Sequence, residues 1–228
     1  MKDVSVIIPA AGAGRRFGAT HNKIFLPLAG EPIFLRSLRL FAGRQDVCQA
    51  QLVVSAEDHD RLLNQYSQEL EQLGAEVTVG GATRSRSVRN ALARLSREAR
   101  WVCVHDAVRP CVAPHWVDAV LTQARLTGAA ILAYPVHGTL KLVDEKRLIT
   151  RTLPRQAAWE AQTPQVFLRE LILRAYESDR EATDDAHLVE QLGQPVSVVL
   201  GDPRNIKITT PRDLELAEAV LPSLASHT

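Results

Sequence analysis

The residues of this chain whose types and spacing could do chemistry are small ones and cations. Ala10, Ala11, Gly12, Ala13 and Gly14 follow an apolar run and are too small to hold a ligand away from the backbone, so their N–H groups can converge on a polyanion. Arg15, Arg16 and Lys23 add full positive charge close by, and the whole reads as a phosphate cradle with a cationic clamp. The same small residues also suit an ordinary turn after a strand. Two familiar phosphate motifs do not fit: the dinucleotide fingerprint needs a glycine where Phe17 stands, and no glycine is followed by Lys-Ser or Lys-Thr.

Three further sites belong to the same chemistry. Gly80-Gly81 frees the backbone to turn tightly, and a helix starting near Thr83 would aim its unpaired N–H groups back at the cradle; the bland reading is a turn, a cap and solvated arginines. Asp106 ends an apolar run, where a carboxylate can accept from a ribose hydroxyl, ligate Mg²⁺ or hold a cation, and Arg109 can fork to a phosphate. A local Asp106–Arg109 ion pair of little worth is the alternative. Lys207 alternates with Ile206 and Ile208, which turns it away from the core, either for a task or as an edge-strand lysine that resists aggregation. His105 has no nucleophile beside it and is read as structural.

The elements that must position these residues alternate. Strands are expected at Val4–Ile8, closed by Pro9, and at Gln51–Ser55, Ala75–Val79, Trp101–His105, Ala129–Tyr134 and Val196–Leu200. Helices are expected at Pro32–Phe41, at Glu57–Leu73 ending on Gly74, from Thr83, and at Pro114–Thr127, Leu168–Tyr176 and Thr183–Leu192. Thr183 is read as the cap of the last of these, with Asp184 and Asp185 as dipole partners in its first turn. Thr210, Pro211 and Asp213 then start a final helix.

This order implies an α/β fold, Rossmann-like, with a mostly parallel sheet covered by helices on both faces and ligands beyond the carboxyl ends of the strands. One interruption stands out. Thr139–Val143, the turn Asp144–Arg147 and Leu148–Leu153 read as a hairpin, which is marginal alone in water, so a second copy of the chain is the economical partner. The expected organisation is one domain over 1–228 with 136–154 as a protruding dimerisation arm. Trp159–Gln165 then leads back to the main body.

Composition narrows the function. A net charge of +1 over 228 residues argues against a nucleic-acid or acidic-membrane partner. Charges interrupt every apolar run before the roughly 18 residues of a membrane span. The opening MKDVSVIIPA enters a strand at once, and the three cysteines, Cys48, Cys103 and Cys111, form no C-x-x-C pair, so a cytoplasmic protein with free thiols is expected.

The motifs themselves carry a resemblance. Pro9-Ala-Ala-Gly-Ala-Gly-Arg-Arg16, Asn22-Lys23 and Leu26-Pro-Leu-Ala-Gly30 resemble the opening of the nucleotidyltransferases that activate sugar and polyol phosphates. Within that group the chain is most similar to the methylerythritol phosphate cytidylyltransferases of non-mevalonate isoprenoid synthesis. Gly80-Gly-x-x-Arg84-x-x-Ser87-Val88, His105-Asp-Ala-Val-Arg-Pro110 and Asn205-Ile-Lys207-x-Thr209 extend the likeness from Val4 to about Leu221. Val108, Ile24 and Ala82 depart from the pattern, where alanine, glutamine and an acid are commoner.

The resemblance implies transfer of CMP from CTP to 2-C-methyl-D-erythritol 4-phosphate with release of pyrophosphate. It assigns catalysis to Arg16, Lys23, Arg155 and Lys207, and nucleotide contacts to Pro9, Ala10, Ala11, Gly12, Gly14, Arg15, Gly81, Ser87 and Asp106, with Arg84 beside them. Arg109, Thr139 and Thr163 fall to the acceptor. Mg²⁺ is the implied cofactor, with Asp106 as its candidate ligand, and the arm implies a homodimer with Arg155 reaching across. The attacking phosphate is already an anion, so no strong general base is needed; the obstacle is repulsion between phosphates, which cations remove. Another acceptor such as ribitol 5-phosphate, or a nucleotide-binding regulatory subunit without turnover, are the competing readings.

Overall fold

A computed structural model describes residues 1–12, 22–178 and 182–225. In chain order its elements are β1 (Val4–Pro9), a single 3₁₀ turn (Lys23–Phe25), β2 (Pro27–Leu28), β3 (Glu31–Pro32), α1 (Ile33–Ala42), β4 (Val47–Val54), α2 (Ala56–Gln72), β5 (Ala75–Val79), α3 (Arg84–Leu92) and β6 (Trp101–Val104). Then follow α4 (Pro114–Thr127), β7 (Ala129–Pro135), β8 (Lys141–Val143), β9 (Ile149–Thr152), β10 (Trp159–Leu168), α5 (Arg169–Ala175), α6 (Asp185–Glu190), β11 (Ser197–Leu200) and α7 (Pro211–Ala225).

Seven strands form one sheet in the order β11-β7-β10-β6-β1-β4-β5. The β1, β4, β5 and β6 pairings are parallel, as is β11 with β7, while β10 runs antiparallel to both β6 and β7. The period of two along β1 explains the layering. Val4, Val6 and Ile8 face a core with Phe34, Phe41, Leu62 and Trp116 from α1, α2 and α4, while Ile7 faces Val88, Ile172 and Leu188 from α3, α5 and α6. Along β6, Trp101 and Cys103 join the first layer, Val102 and Val104 the second. Helices therefore cover both faces, as the alternating pattern predicts. A smaller cluster, Leu28, Ile33, Cys111, Ile208 and Ala217, seats α7.

Since β4 and β6 flank β1 on opposite sides, the chain turns one way after β1 and the other way after β5. That reversal opens a crevice at the carboxyl ends of β1 and β6, the place where such sheets bind ligands.

Several expectations need correcting. The strand expected from Gln51 starts at Val47, four residues earlier, because Val47 and the buried Gln49 also pair with β1, with Cys48 bulged between them. Trp159–Gln165 is not a connection but the first part of β10. Pro164 has no N–H for a ladder, and the pairing with β7 shifts register between Ala161 and Gln165, where it lies. Asp184, not Thr183, caps α6, its carboxylate accepting from the His187 N–H at 3.0 Å. Lys207 is not on a strand; its segment is irregular. Thr210 does start α7, reciprocally with Asp213, whose carboxylate accepts from the Thr209 and Thr210 N–H groups at 2.8 and 2.7 Å. Among the described residues β8 and β9 pair only with each other, and Leu142, Val143, Leu148 and Ile149 in this hairpin are 45–63% exposed.

Candidate active site

At the end of β1, the Ala10 N–H donates to Val53 O at 2.7 Å, and the chain leaves the sheet at the expected cradle. Pro9, Ala10, Ala11 and Gly12 line a cleft of about 460 Å³. Gly14, Arg15 and Arg16 lie outside the described residues. Lys23 lines the same cleft because Asn22 ties its turn to the cradle. The Asn22 side-chain carbonyl accepts from the Ile24 N–H at 3.3 Å, while its amide donates to Ala10 O at 2.9 Å and to the Asp58 carboxylate at 2.8 Å. Ile24 and Phe25 are buried behind it, Phe25 edge-on to Phe34 with centroids 5.7 Å apart, so the lysine backbone is held from below.

The second loop presses on the first. A Cβ on Gly80 would meet Ser87 Oγ at 2.6 Å and Ala11 Cβ at 2.9 Å, and one on Gly81 would meet Arg86 Cβ at 2.6 Å. These two positions are glycine because of close approach. Thr83 caps α3 by accepting from the Arg86 N–H at 3.2 Å. Ser87 is expected on the nucleotide. Its hydroxyl accepts from the Gly81 N–H at 3.1 Å and lies 2.9 Å from Thr83 O, so although it borders the cleft its hydrogen bonds hold the loop.

Asp106 sits just beyond β6, 5% exposed, and it organises the charges. Its Oδ1 accepts from Arg84 Nε at 3.0 Å and its Oδ2 from Lys207 Nζ at 2.7 Å. Burial alone would raise its pKa, but the charges of Arg84, Lys207 and Arg109 overcome this and hold the carboxyl far below its ordinary range. Arg84 continues inward, its Nη2 reaching Asp185 Oδ2 at 2.8 Å. Asp185 stands in the first turn of α6 as expected, but it is fully buried and also takes the Tyr176 hydroxyl hydrogen, so it is in addition the inner partner of Arg84.

Thr163 and Arg109, both expected on the acceptor, make hydrogen bonds within the protein. β10 runs opposite to its neighbours, so its beginning lies at their carboxyl ends and brings Thr163 beneath Asp106. Thr163 Oγ1 accepts from the Asp106 N–H at 3.1 Å and lies 3.1 Å from His105 Nδ1. His105 Nε2 lies 3.0 Å from Arg109 O, which requires a proton on that nitrogen and leaves Nδ1 to accept from the threonine. Burial lowers the His105 pKa to about 4, so the ring is neutral and structural. Arg109, 6% exposed, donates from Nη1 to Asn205 O at 2.6 Å, while its Nε is buried without a partner among the described residues. Asn205 in turn donates to Thr163 O at 2.9 Å, and the Ile208 N–H to Val108 O at 2.8 Å. Lys207 is therefore pinned from both sides although it lies on no strand.

Thr139 and Arg155 are exposed on the arm and do not line the cleft of their own chain; Arg155 Nη1 donates to His137 O at 2.6 Å. Asp106 is the one carboxylate among the described residues lining the cleft, and no group of three His, Cys, Asp or Glu residues among them is arranged to hold a metal. Both its oxygens already carry cations, so this arrangement of donors does not fit a resident metal.

Sequence reasoning missed Asp58 and Tyr176, and it named Asn22, Asn205 and Asp185 without the contacts they make. Asn22 had a local signal, a capping residue two positions before Ile24, whereas the Asp58 and Asp185 contacts span 36 and 101 residues of sequence and left none.

The family model described as 2-C-methyl-D-erythritol 4-phosphate cytidylyltransferase matches residues 4–223. Among curated proteins, the enzyme of that name from Rhodopirellula baltica is 44% identical over 96% of this chain and 94% of its own length. That from Geobacillus kaustophilus is 40% identical over 95% and 96%. The crystal structure of the Thermus thermophilus enzyme superposes with a TM-score of 0.79 at 36% identity, covering 96% of this chain and 99% of that one. A match of this extent over the whole α/β body leads to one conclusion: the chain belongs to the 2-C-methyl-D-erythritol 4-phosphate cytidylyltransferase family.

Proposed function

We propose that this protein transfers CMP from CTP to the phosphate of 2-C-methyl-D-erythritol 4-phosphate, giving 4-diphosphocytidyl-2-C-methyl-D-erythritol and pyrophosphate. The observation that carries the reading is geometric. A small-residue loop, Lys23 and Lys207 arrive from separate parts of the chain at one cleft, whose only described carboxylate is neutralised by Arg84 and Lys207.

In the reaction an oxygen of the acceptor phosphate bonds to the α-phosphorus of CTP, and the bond from that phosphorus to the bridging oxygen of pyrophosphate breaks. The nucleophile is an anion at neutral pH, so no proton shuttle is required, in keeping with a neutral and buried His105. What must be supplied is alignment and positive charge. The N–H groups of Ala11 and Gly12 would cradle the phosphates, with Ala10 held to the sheet beneath them, Lys23 and Arg16 would meet the charge that builds on the α-phosphoryl and leaving oxygens, and Gly81 with Ser87 would shape the nucleoside side. Lys207, held beside Asp106, would draw the acceptor phosphate into line. CTP would enter as its magnesium complex, the ion riding on triphosphate oxygens and supplying further charge there.

The arm suits a homodimer. Its exposed Leu142, Val143, Leu148 and Ile149 are left uncovered by the described chain, and pairing with a second copy would cover them and carry Thr139 and Arg155 toward the neighbouring cleft. Free Cys48, Cys103 and Cys111 suit a reducing cytoplasm, and no helix of the described residues is long and apolar enough to cross a membrane.

The test is pyrophosphate release from CTP with and without acceptor. Release that requires methylerythritol phosphate and is far slower with ribitol 5-phosphate is expected. A preference for ribitol 5-phosphate would overturn the acceptor, and CTP binding without acceptor-dependent release would make the chain a binding subunit.

A further inference from the structure

We propose that Asp185 and Tyr176, which do not line the cleft, are positioning residues for the reaction, acting through Arg84 on Asp106 and Lys207. The inference rests on the functional reading above. Asp185, Arg84, Asp106 and Lys207 form a chain of alternating charge running from the fully buried first residue of α6 to the cleft, with successive contacts of 2.8, 3.0 and 2.7 Å.

Arg84 is divided between two carboxylates. Its Nε serves Asp106 and its Nη2 serves Asp185. A guanidinium facing a single carboxylate prefers to grip both oxygens with two parallel N–H donors. Without a charge at position 185, Arg84 can close its fork on Asp106, occupy Oδ2 as well as Oδ1, and dislodge the ammonium of Lys207. Asp185 therefore keeps one edge of Arg84 occupied so that Asp106 retains an oxygen for Lys207.

The surroundings of Asp185 agree with a held geometry. Asp184 already caps α6, so capping does not explain a second, fully buried carboxylate. The Tyr176 hydroxyl donates to Asp185 Oδ1 and fixes its rotamer. Gln165 of β10 donates to the Asp184 carboxylate and accepts from the Ala186 N–H, both at 2.9 Å, which fastens the start of α6 to the sheet.

The test is a pair of double-mutant cycles. The wild type, Asp185→Asn, Tyr176→Phe, Arg84→Met and the two doubles with Arg84→Met are compared by kcat/KM for CTP, CTP dissociation constant from calorimetry, and Tm. Asp185→Asn is expected to lower kcat/KM about tenfold, within the range of couplings inside one hydrogen-bonded network, and Tyr176→Phe to act in the same direction by less. In the Arg84→Met background each should change kcat/KM by no more than about twofold. A purely structural role would lower Tm in both backgrounds and leave kcat/KM in place. Equal losses with and without Arg84, or no loss in the wild-type background, overturn the inference. Should Asp185→Asn not fold, the Tyr176→Phe cycle decides by the same criterion. If the wild type releases no pyrophosphate, the functional reading fails by itself, and the CTP dissociation constants of the same proteins decide the positioning role.

Discussion

Replacing Asp106 by asparagine probes the centre of the site. The substitution keeps the shape but removes the charge that faces Arg84 at 3.0 Å and Lys207 at 2.7 Å. Breaking a buried ion pair by deleting one partner costs about 3–5 kcal/mol. Here the side chains of Lys207 and Arg84 are 42% and 28% exposed, so water screens part of the loss and about 2–3 kcal/mol is expected. For a chain of 228 residues, at about 2–4 °C per kcal/mol, Tm should fall by roughly 4–12 °C.

The pH dependence adds a stricter check. The folded pKa of Asp106 is depressed, so its contribution is complete above the unfolded carboxyl value of about 3.9 and is lost as pH falls through the folded value. Asp46, Asp202 and Asp213, also depressed, are present in both proteins and cancel in the difference. Calorimetry of both proteins in metal-free buffer should show a constant stability gap from about pH 8 to pH 5 that narrows by about 1 kcal/mol near pH 3. Equal Tm values at neutral pH, or a gap that widens in acid, would refute the electrostatic account. Turnover should fall on the order of 10²–10³ because both cations lose their register.

Lys23→Ala and Arg16→Ala should each cost on the order of 10²–10³ in turnover with an unchanged far-UV spectrum, and near-normal rates in both would remove the proposed clamp. Deleting 143–149 should give monomers in sedimentation velocity, with acceptor turnover lost if Thr139 and Arg155 serve the neighbouring cleft; a native protein that is itself monomeric refutes the arm's role. Gly80→Ala should destabilise by about 1–3 kcal/mol in urea unfolding, since its Cβ would lie 2.6 Å from Ser87 Oγ and 2.9 Å from Ala11 Cβ. Thr163→Val removes the acceptor of the Asp106 N–H and should cost about 1–3 kcal/mol, whereas an acceptor contact alone would raise KM without moving Tm.

Local chemistry was legible from the sequence by itself. The alternation of apolar runs with amphipathic segments marked β1, β5, β6, α4 and β7 closely, because period and caps act within a few residues. The small-residue loop, Gly80-Gly81, Asp106 and Lys207 could be singled out for the same reason: backbone freedom and charge are properties of residue types. β10 could not be read, since Pro164 argues against a strand and only pairing with β6 and β7 outweighs it. Nor could the partners of the charges. Whether Arg109 meets a phosphate or a carbonyl, whether Thr163 serves a substrate or a backbone amide, and whether Asp185 faces water or Arg84 depend on which distant segments the sheet order brings side by side. Burial then forces every polar atom there to find the partner that the packing leaves within reach.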